Sequence, residues 1–207
     1  MSQPGKVFLV DDDAAVRDSV SMLLQSAGHT VAAFSCAEEF LRACSPSVRG
    51  CLLLDLKMPG MDGPALQEEL TRRGFLMPVI FLSGYGTIPE TVRAIKAGAV
   101  NFLTKPVDGV QLLQHVQEAL ALDAVLHQEA QTRQSISARL AALTEREREI
   151  MMLAVGGYTN KEIAQRLAIS HRTVEIHRAR ILQKTGASNL LELVRISGLL
   201  DSLHRPW

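Results

Sequence analysis

The sequence predicts two domains of different class: an open, doubly wound α/β unit with a parallel sheet, then an all-helical unit. Three observations lead there. Five segments read as short buried strands, and four of them end on a polar residue. From Val110 to Val155 the chain has neither Gly nor Pro and begins with a helical apolar stripe. Beyond that stretch, three N-cap signals open short helices in succession. The length of 207 residues suits two modest domains.

In chain order, Val7-Phe8-Leu9-Val10 runs into Asp11-Asp12-Asp13, and Cys51-Leu52-Leu53-Leu54 runs into Asp55. Val79-Ile80-Phe81-Leu82 then runs into Ser83, and Phe102-Leu103-Thr104 into Lys105-Pro106. The carboxyl ends of strands in an open parallel sheet line one crevice, where ligands bind. Asp11, Asp55, Ser83 and Lys105, distant in sequence, are therefore expected to meet.

Charge indicates what such a site can do. Crowded carboxylates repel and need a cation, and an all-oxygen cluster suits a hard divalent ion, most often Mg2+. Lys105 adds a positive charge, and the Ser83 hydroxyl can donate or accept. Three aspartates, one divalent cation and one lysine sum to zero, so the pocket is neutral until a phosphoryl group arrives. Asp55 stands alone at its strand end, before Leu56-Lys57-Met58-Pro59-Gly60. Its carboxylate is free to act as a nucleophile, and aspartyl phosphates are an established covalent intermediate. Turn or cap formation is the competing role for an aspartate after a strand. For Asp13 that role is preferred, as the N-cap of a helix from Ala14.

After the last strand, Leu112, Val116, Leu120 and Ala124 recur at helical spacing. The stripe then gives way to the polar run Gln128-Glu129-Ala130-Gln131-Thr132-Arg133-Gln134. One long helix from about Asp108 to about Leu140, roughly 50 Å in length, is the preferred reading. The alternative is a break near Asp123 followed by a flexible linker.

Thr144-Glu145-Arg146-Glu147 is a capping box for a helix containing Ile150, Leu153 and Ala154, closed by Gly156-Gly157. Thr159-Asn160-Lys161-Glu162 is a second box, leading to Ile163, Ala164 and Leu167, and Ser170 caps a third helix. Two short helices joined by Ala168-Ile169-Ser170 have helix-turn-helix spacing. On the third helix Val174 and Ile181 share the buried side, flanked by His177, which is read as a packing residue. The other face carries Arg172, Ile176, Ala179 and Gln183, with Thr173, Glu175 and Arg180 beside it. Such a mixture suits a major groove, where charged groups read base edges and apolar groups meet thymine methyls. Lys161 and Lys184, at the helix ends, are expected to reach phosphates, which hold register without reading sequence.

Composition narrows the classes. No apolar run approaches the roughly 18 residues needed to span a bilayer, and the first residues lack the basic region and apolar stretch expected of a signal peptide. Cys36, Cys44 and Cys51 follow no metal spacing, so reduced thiols in a cytoplasmic protein are expected. The balanced total of 22 basic and 22 acidic residues hides a split. Residues 1–140 carry 12 Lys and Arg against 15 Asp and Glu; residues 141–207 carry 10 against 7. A mildly basic C-terminal module suits a polyanion.

Val10-Asp11-Asp12-Asp13, Asp55-Leu56-Lys57-Met58-Pro59-Gly60, Ser83-Gly84 and Lys105-Pro106 resemble the receiver domain of two-component response regulators, over residues 5 to about 122. The resemblance implies a flavodoxin-like fold with Asp55 as phosphoacceptor. It implies that Asp11, Asp12, Asp55 and the backbone carbonyl of Lys57 hold Mg2+. Ser83 becomes the switch hydroxyl, Phe102 the switch aromatic, and Lys105 the phosphate-contacting lysine before a cis proline bond. Leu143-Thr144-Glu145-Arg146-Glu147-Arg148-Glu149, Asn160-Lys161-Glu162-Ile163-Ala164 and Thr173-Val174-Glu175-Ile176-His177-Arg178 resemble the LuxR-type DNA-binding domain. In that family a fourth helix, here marked by Leu190, Leu191, Val194 and Ile196, helps form a dimer.

Together the two resemble the FixJ subfamily, as do Gly84-Tyr85-Gly86-Thr87-Ile88-Pro89 and Ala97-Gly98-Ala99-Val100-Asn101-Phe102-Leu103. Asn101 departs from the acidic residue found before the aromatic, which weakens an expected charge contact of the dimer face around Val92, Lys96 and Phe102. Tyr85, at the pocket rim, is placed to slow attack of water on the phosphoryl group. The resemblance implies a receiver at 1–122, a linker at 123–140 that extends the last receiver helix, and a DNA-binding domain at 141–207. It implies a sensor histidine kinase, double-stranded promoter DNA, a homodimer on phosphorylation and RNA polymerase as partners. The competing reading is an aspartyl-phosphate phosphotransfer or phosphatase enzyme with no regulatory role. A turnover enzyme is disfavoured, since residues 141–207 hold no further catalytic cluster. DNA binding independent of phosphate is disfavoured by the complete acceptor set.

Overall fold

The computed structural model describes residues 6–84 and 100–201. The sequence readings at residues 85–89 and 97–99, and at Val92 and Lys96, lie outside the described residues. By packing the chain divides into two compact units, Met1–His127 and Gln128–Trp207.

The first unit is built on five parallel strands: β1 Lys6–Val10, β2 Thr30–Phe34, β3 Cys51–Asp55, β4 Val79–Ser83 and β5 Asn101–Thr104. Their order is β2-β1-β3-β4-β5, so the sheet reverses direction of growth between β1 and β3. Among the described residues, the helices α1 Ala14–Ser26, α2 Ala37–Ala43, α3 Gly63–Arg72 and the start of α4 Gly109–Ala141 accompany the sheet. Side chains alternate between two cores, as a period of two requires. Phe8, Val10, Leu52, Leu54 and Phe81 pack on one face, and Val7, Leu9, Leu53, Ile80 and Leu82 on the other. The expected doubly wound α/β unit is thus present, and the four expected polar residues stand at or just beyond the strand ends.

Asp13 caps α1, accepting from the Ala15 and Val16 amides, as preferred from the sequence. On α4, Leu112, Val116 and Ala119 are buried, while Ala124, expected to continue the stripe, is exposed. Its neighbour Asp123 is buried instead. The Asp123 carboxylate lies 3.1 Å from Arg49 Nη2 and 3.0 Å from His127 Nδ1. A buried carboxylate costs several kcal/mol unless paired, and the Arg49 guanidinium supplies the charge while His127 Nδ1 also bonds the Asp123 backbone carbonyl. The possible break near Asp123 does not occur, since α4 runs through it. The thiols are free, and Cys51 is pushed up to about 12, first by burial and then by Asp123. It is therefore protonated and inert at neutral pH, a core residue as expected.

The second unit contains α5 Glu145–Val155, α6 Asn160–Arg166, α7 His171–Thr185 and α8 Leu190–Asp201. Both capping boxes are formed, at Thr144 with Glu147 and at Thr159 with Glu162, and Ser170 caps α7. Ile150, Ala154, Ile163, Val174, Ile181 and Leu193 make the core, together with Ile136 and Leu140 from the last turns of α4. The stretch 123–140, expected as a linker, is thereby divided by packing. Asp123 and His127 are tied into the first unit, whereas Ile136 and Leu140 are core residues of the second.

Glu147 is buried at the foot of α5. The Lys184 ammonium and the Thr144 amide hold its carboxyl down to about 2. A depressed carboxyl contributes stability that is present above its unfolded value, near 4.5, and is lost as pH falls toward 2. The melting temperature of the second unit is therefore expected to drop as pH falls through that window, and Glu147→Gln to flatten the dependence. Equal pH slopes for wild type and Glu147→Gln in thermal melts would contradict this assignment.

Candidate functional site

The sheet itself assembles the first site. Val10 and Leu54 are paired in register, so Asp11 and Asp55 emerge side by side at the point where strand order reverses. Ser83 ends β4, and its carbonyl accepts from the Lys105 amide at 2.7 Å, which brings the β5 end alongside. Lys105 precedes a cis bond to Pro106, as expected from the sequence. Its ammonium reaches across the pocket to Asp11 Oδ2 at 2.6 Å and Asp55 Oδ1 at 3.1 Å. All four residues inferred to converge do so.

Asp11 and Asp55 are buried, while Asp12 is exposed at the rim. Burial pushes the Asp55 carboxyl up, Lys105 opposes the shift, and Asp11 and Asp12 add to it. Burial draws the Lys105 ammonium down, but its bonds to Asp11 and Asp55 outweigh that and its pKa is raised. The lysine is a fixed cation among acids.

Asp11, Asp12 and Asp55 each present a carboxylate oxygen within 4.8 Å of the others. Opposite ligands of one octahedral ion lie about 4.2 Å apart at metal–oxygen distances near 2.1 Å. A hard divalent ion therefore fits this all-oxygen set with little adjustment. Asp13 does not belong to it, because its carboxylate is committed to the α1 cap. Lys57 lies in the loop between β3 and α3. Phe102 is half-buried against the core beside Phe81, its partner in register.

Two features went unread in the sequence. A Cβ at Gly63 would stand against the Asp55 carbonyl and 2.8 Å from the Phe81 ring, so only glycine lets α3 begin this close to Asp55. Asn101, weighed only as a missing charge, bonds through Nδ2 to the His115 ring on α4, and His115 in turn meets Glu118. No local pattern announces either contact.

The second site is the exposed face of α7. Arg172, Ile176, Ala179 and Arg180 are exposed there, as is Lys161 on α6. Glu175 lies beside them, its carboxylate 3.2 Å from Arg172 Nη1. Thr173 is half-buried, and its hydroxyl is bonded to that of Ser170. Arg178 ties α7 to α6 through Asn160 Oδ1 at 2.7 Å. Lys184 has partners that the sequence did not announce. Its ammonium sits 2.6 Å from Glu147 Oε2 and 3.4 Å from the Ala142 carbonyl, so it is occupied within the unit. The buried Glu147 carboxylate requires that partner.

Known proteins agree with both halves. The response regulator receiver domain matches residues 7–117, and the luxR family of bacterial regulatory proteins matches residues 141–197. The chain is 41% identical over 191 residues to the transcriptional regulatory protein FixJ of Azorhizobium caulinodans, covering 92% of this chain and 90% of that one. It is 43% identical over 188 residues to the transcriptional regulatory protein TdiR of Thauera aromatica, covering 91% and 83%. The solved structure of the response regulator StyR superposes with a TM-score of 0.85 at 41% identity, covering 96% of this chain and all of that one. With a receiver domain, a luxR-family domain and relatives matched along most of its length, the chain belongs to the FixJ-type response regulators.

Proposed function

We propose that this protein is a phosphorylation-dependent transcriptional regulator in which Asp55 accepts a phosphoryl group and the α7 face reads duplex DNA. The observation that carries the reading is the Lys105 ammonium bridging Asp11 and Asp55 at the switch point of the sheet. Asp55 is the nucleophile: a carboxylate oxygen attacks phosphorus, and the donor's leaving group departs on the opposite side. Asp11, Asp12 and Asp55, with the Lys57 carbonyl, would hold Mg2+, which neutralises charge on the phosphoryl oxygens. Lys105 and Ser83 bind further oxygens of the phosphorylated state. The donor is a sensor histidine kinase, and the protein works in the cytoplasm, where promoter DNA and RNA polymerase are available. It consumes only its own aspartyl phosphate, rather than turning over an external substrate. The receiver spans residues 1–122 and the DNA-binding domain 141–207, with 123–140 between them.

The full chain, treated with acetyl phosphate and Mg2+, is expected to select a preferred duplex from a random pool and to bind it less tightly as salt rises. Failure to select any sequence would remove the DNA-reading role. Glu175 supplies a sharper arm, since a carboxylate can accept from cytosine N4. Glu175→Ala is expected to change preference at one position, by about 1–3 kcal/mol. An unchanged selected sequence would make Glu175 a solvated flank that serves only to pair Arg172.

Ser83 and Lys105 transmit the phosphoryl signal. Ser83 is buried one residue beyond Leu82, the register partner of Asp55, and its carbonyl is bonded to the Lys105 amide two residues past Leu103. A hydroxyl drawn toward the phosphoryl group would thus pull on β5, where Phe102 packs. Ser83→Ala is expected to incorporate phosphate yet respond poorly in DNA binding. Normal phosphate-dependent activation of that variant would contradict the assignment.

A further inference from the structure

The last turn of α7 is held to the junction between α4 and α5. Three contacts hold it, all within the second unit. Arg139 Nη1 donates to the Thr185 carbonyl at 3.4 Å, satisfying one of the carbonyls left open at a helix C-terminus. Lys184 Nζ donates to the Ala142 carbonyl at 3.4 Å and pairs with Glu147 at 2.6 Å. Beneath them, Ile136 and Leu140 share one core with Val174 and Ile181.

The local sequence is shaped to this arrangement. Gly186 ends α7 in the left-handed conformation at φ +73°, where a side chain is disfavoured. A Cβ there would also lie 3.0 Å from Arg139 Nη1, so glycine leaves the guanidinium its place against the helix end. Glu147 serves two partners at once, closing the capping box with the Thr144 amide and pairing with Lys184. Its side chain is 3% exposed against 37% for Lys184, so the pair is anchored from the buried side. An ammonium committed to a buried carboxylate is poorly placed to exchange it for a phosphate, because departure would leave Glu147 charged and unpaired.

We infer that Arg139 and Lys184 are positioning residues for DNA recognition, holding the C-terminal end of α7 to the α4–α5 junction so that the reading face has one fixed inclination. The inference rests on the DNA-binding reading and replaces the phosphate role first expected of Lys184. The two roles differ in what they do to binding. A phosphate contact contributes to every duplex and to the counterion-release slope. A positioning residue acts through the base contacts, so its loss weakens the preferred duplex more than unrelated DNA and leaves the slope unchanged.

The test uses the full chain with acetyl phosphate and Mg2+, and two duplexes: the one selected by the wild type and a scrambled one. Lys184→Met removes the charge and keeps most of the stem; Arg139→Ala removes the second tie. Each is expected to weaken binding of the selected duplex roughly tenfold, the order seen on losing one base contact, with little change on scrambled DNA. Lys184→Arg, which can still pair with Glu147, is expected to restore most of the loss. A salt slope lower by about one, with equal weakening on both duplexes, would identify Lys184 as a phosphate contact and overturn the inference. Unchanged binding in Lys184→Met and Arg139→Ala would overturn it as well. If Lys184→Met melts the second unit, Glu147→Gln, whose amide oxygen can still accept from Thr144, takes its place with the same expected loss of preference. A wild type that selects no duplex would overturn the DNA-binding reading itself, and this inference with it.

Discussion

Asp55→Asn is expected to take up no phosphate from acetyl phosphate or from a kinase, while folding as the wild type does. The substitution keeps the shape of the side chain and removes the nucleophilic oxygen. It also removes one negative charge from a cluster in which burial, Asp11 and Asp12 already disfavour the ionised acceptor, so no loss of stability should accompany the loss of chemistry. Asp11 and Asp12 are not substitutes. Asp11 is fully buried against Lys105, and Asp12 is exposed at the rim, away from the Lys105 ammonium that meets Asp55. Chelating the divalent ion is expected to stop incorporation in the wild type as well, because charge on the incoming phosphoryl group is then met by Lys105 alone. Peptide mapping of the adduct decides the matter: equal incorporation by Asp55→Asn would place the acceptor elsewhere.

Phosphorylation is expected to raise affinity for a two-fold DNA site by roughly 10²–10⁴, through pairing of two chains. The reason is energetic. One short recognition helix offers few base contacts, and two modules held together gain from effective concentration without any new contact. The sequence puts the switch on the β5 side near Phe102, where Asn101 is bonded to His115 rather than available as a charge. Residues 122–138 of α4 are the competitor, since Leu122 and Val125 are exposed. Sedimentation with and without beryllofluoride separates the two. A dimer of equal strength in both conditions would refute assembly driven by phosphorylation and favour the α4 contact.

The convergence of Asp11, Asp55, Ser83 and Lys105 was legible because its logic is carried by short apolar strands. Residues buried on both faces form continuous runs, and the residue that follows each run must stand at the crevice. β2 was harder to read. It is an edge strand, and Thr30-Val31-Ala32-Ala33-Phe34 is only half-buried, so it lacks the run that marks β3. The pairing of Asp123 with Arg49 joins residues 74 apart, and an acid inside a helical stripe reads as an interruption unless the distant cation is known. The partner of Lys184 went unread for the same reason. That partner, Glu147, is 37 residues away and was already explained by a capping box, which left no sequence signal for a second role. Sequence shows which residues have the chemistry; spatial neighbours decide which are still at liberty to use it.

The division of α4 bears on how such regulators can be recombined. A receiver exchanged at residue 141 would strip Ile136 and Leu140 from the core of the second unit and Arg139 from the end of α7. One exchanged before Asp123 would orphan Arg49. Between these lie residues 128–135, mostly exposed and rich in glutamine, where a crossover separates neither set from its partners. The seam along which shuffling can yield a working hybrid therefore runs through the middle of an unbroken helix, rather than through a loop.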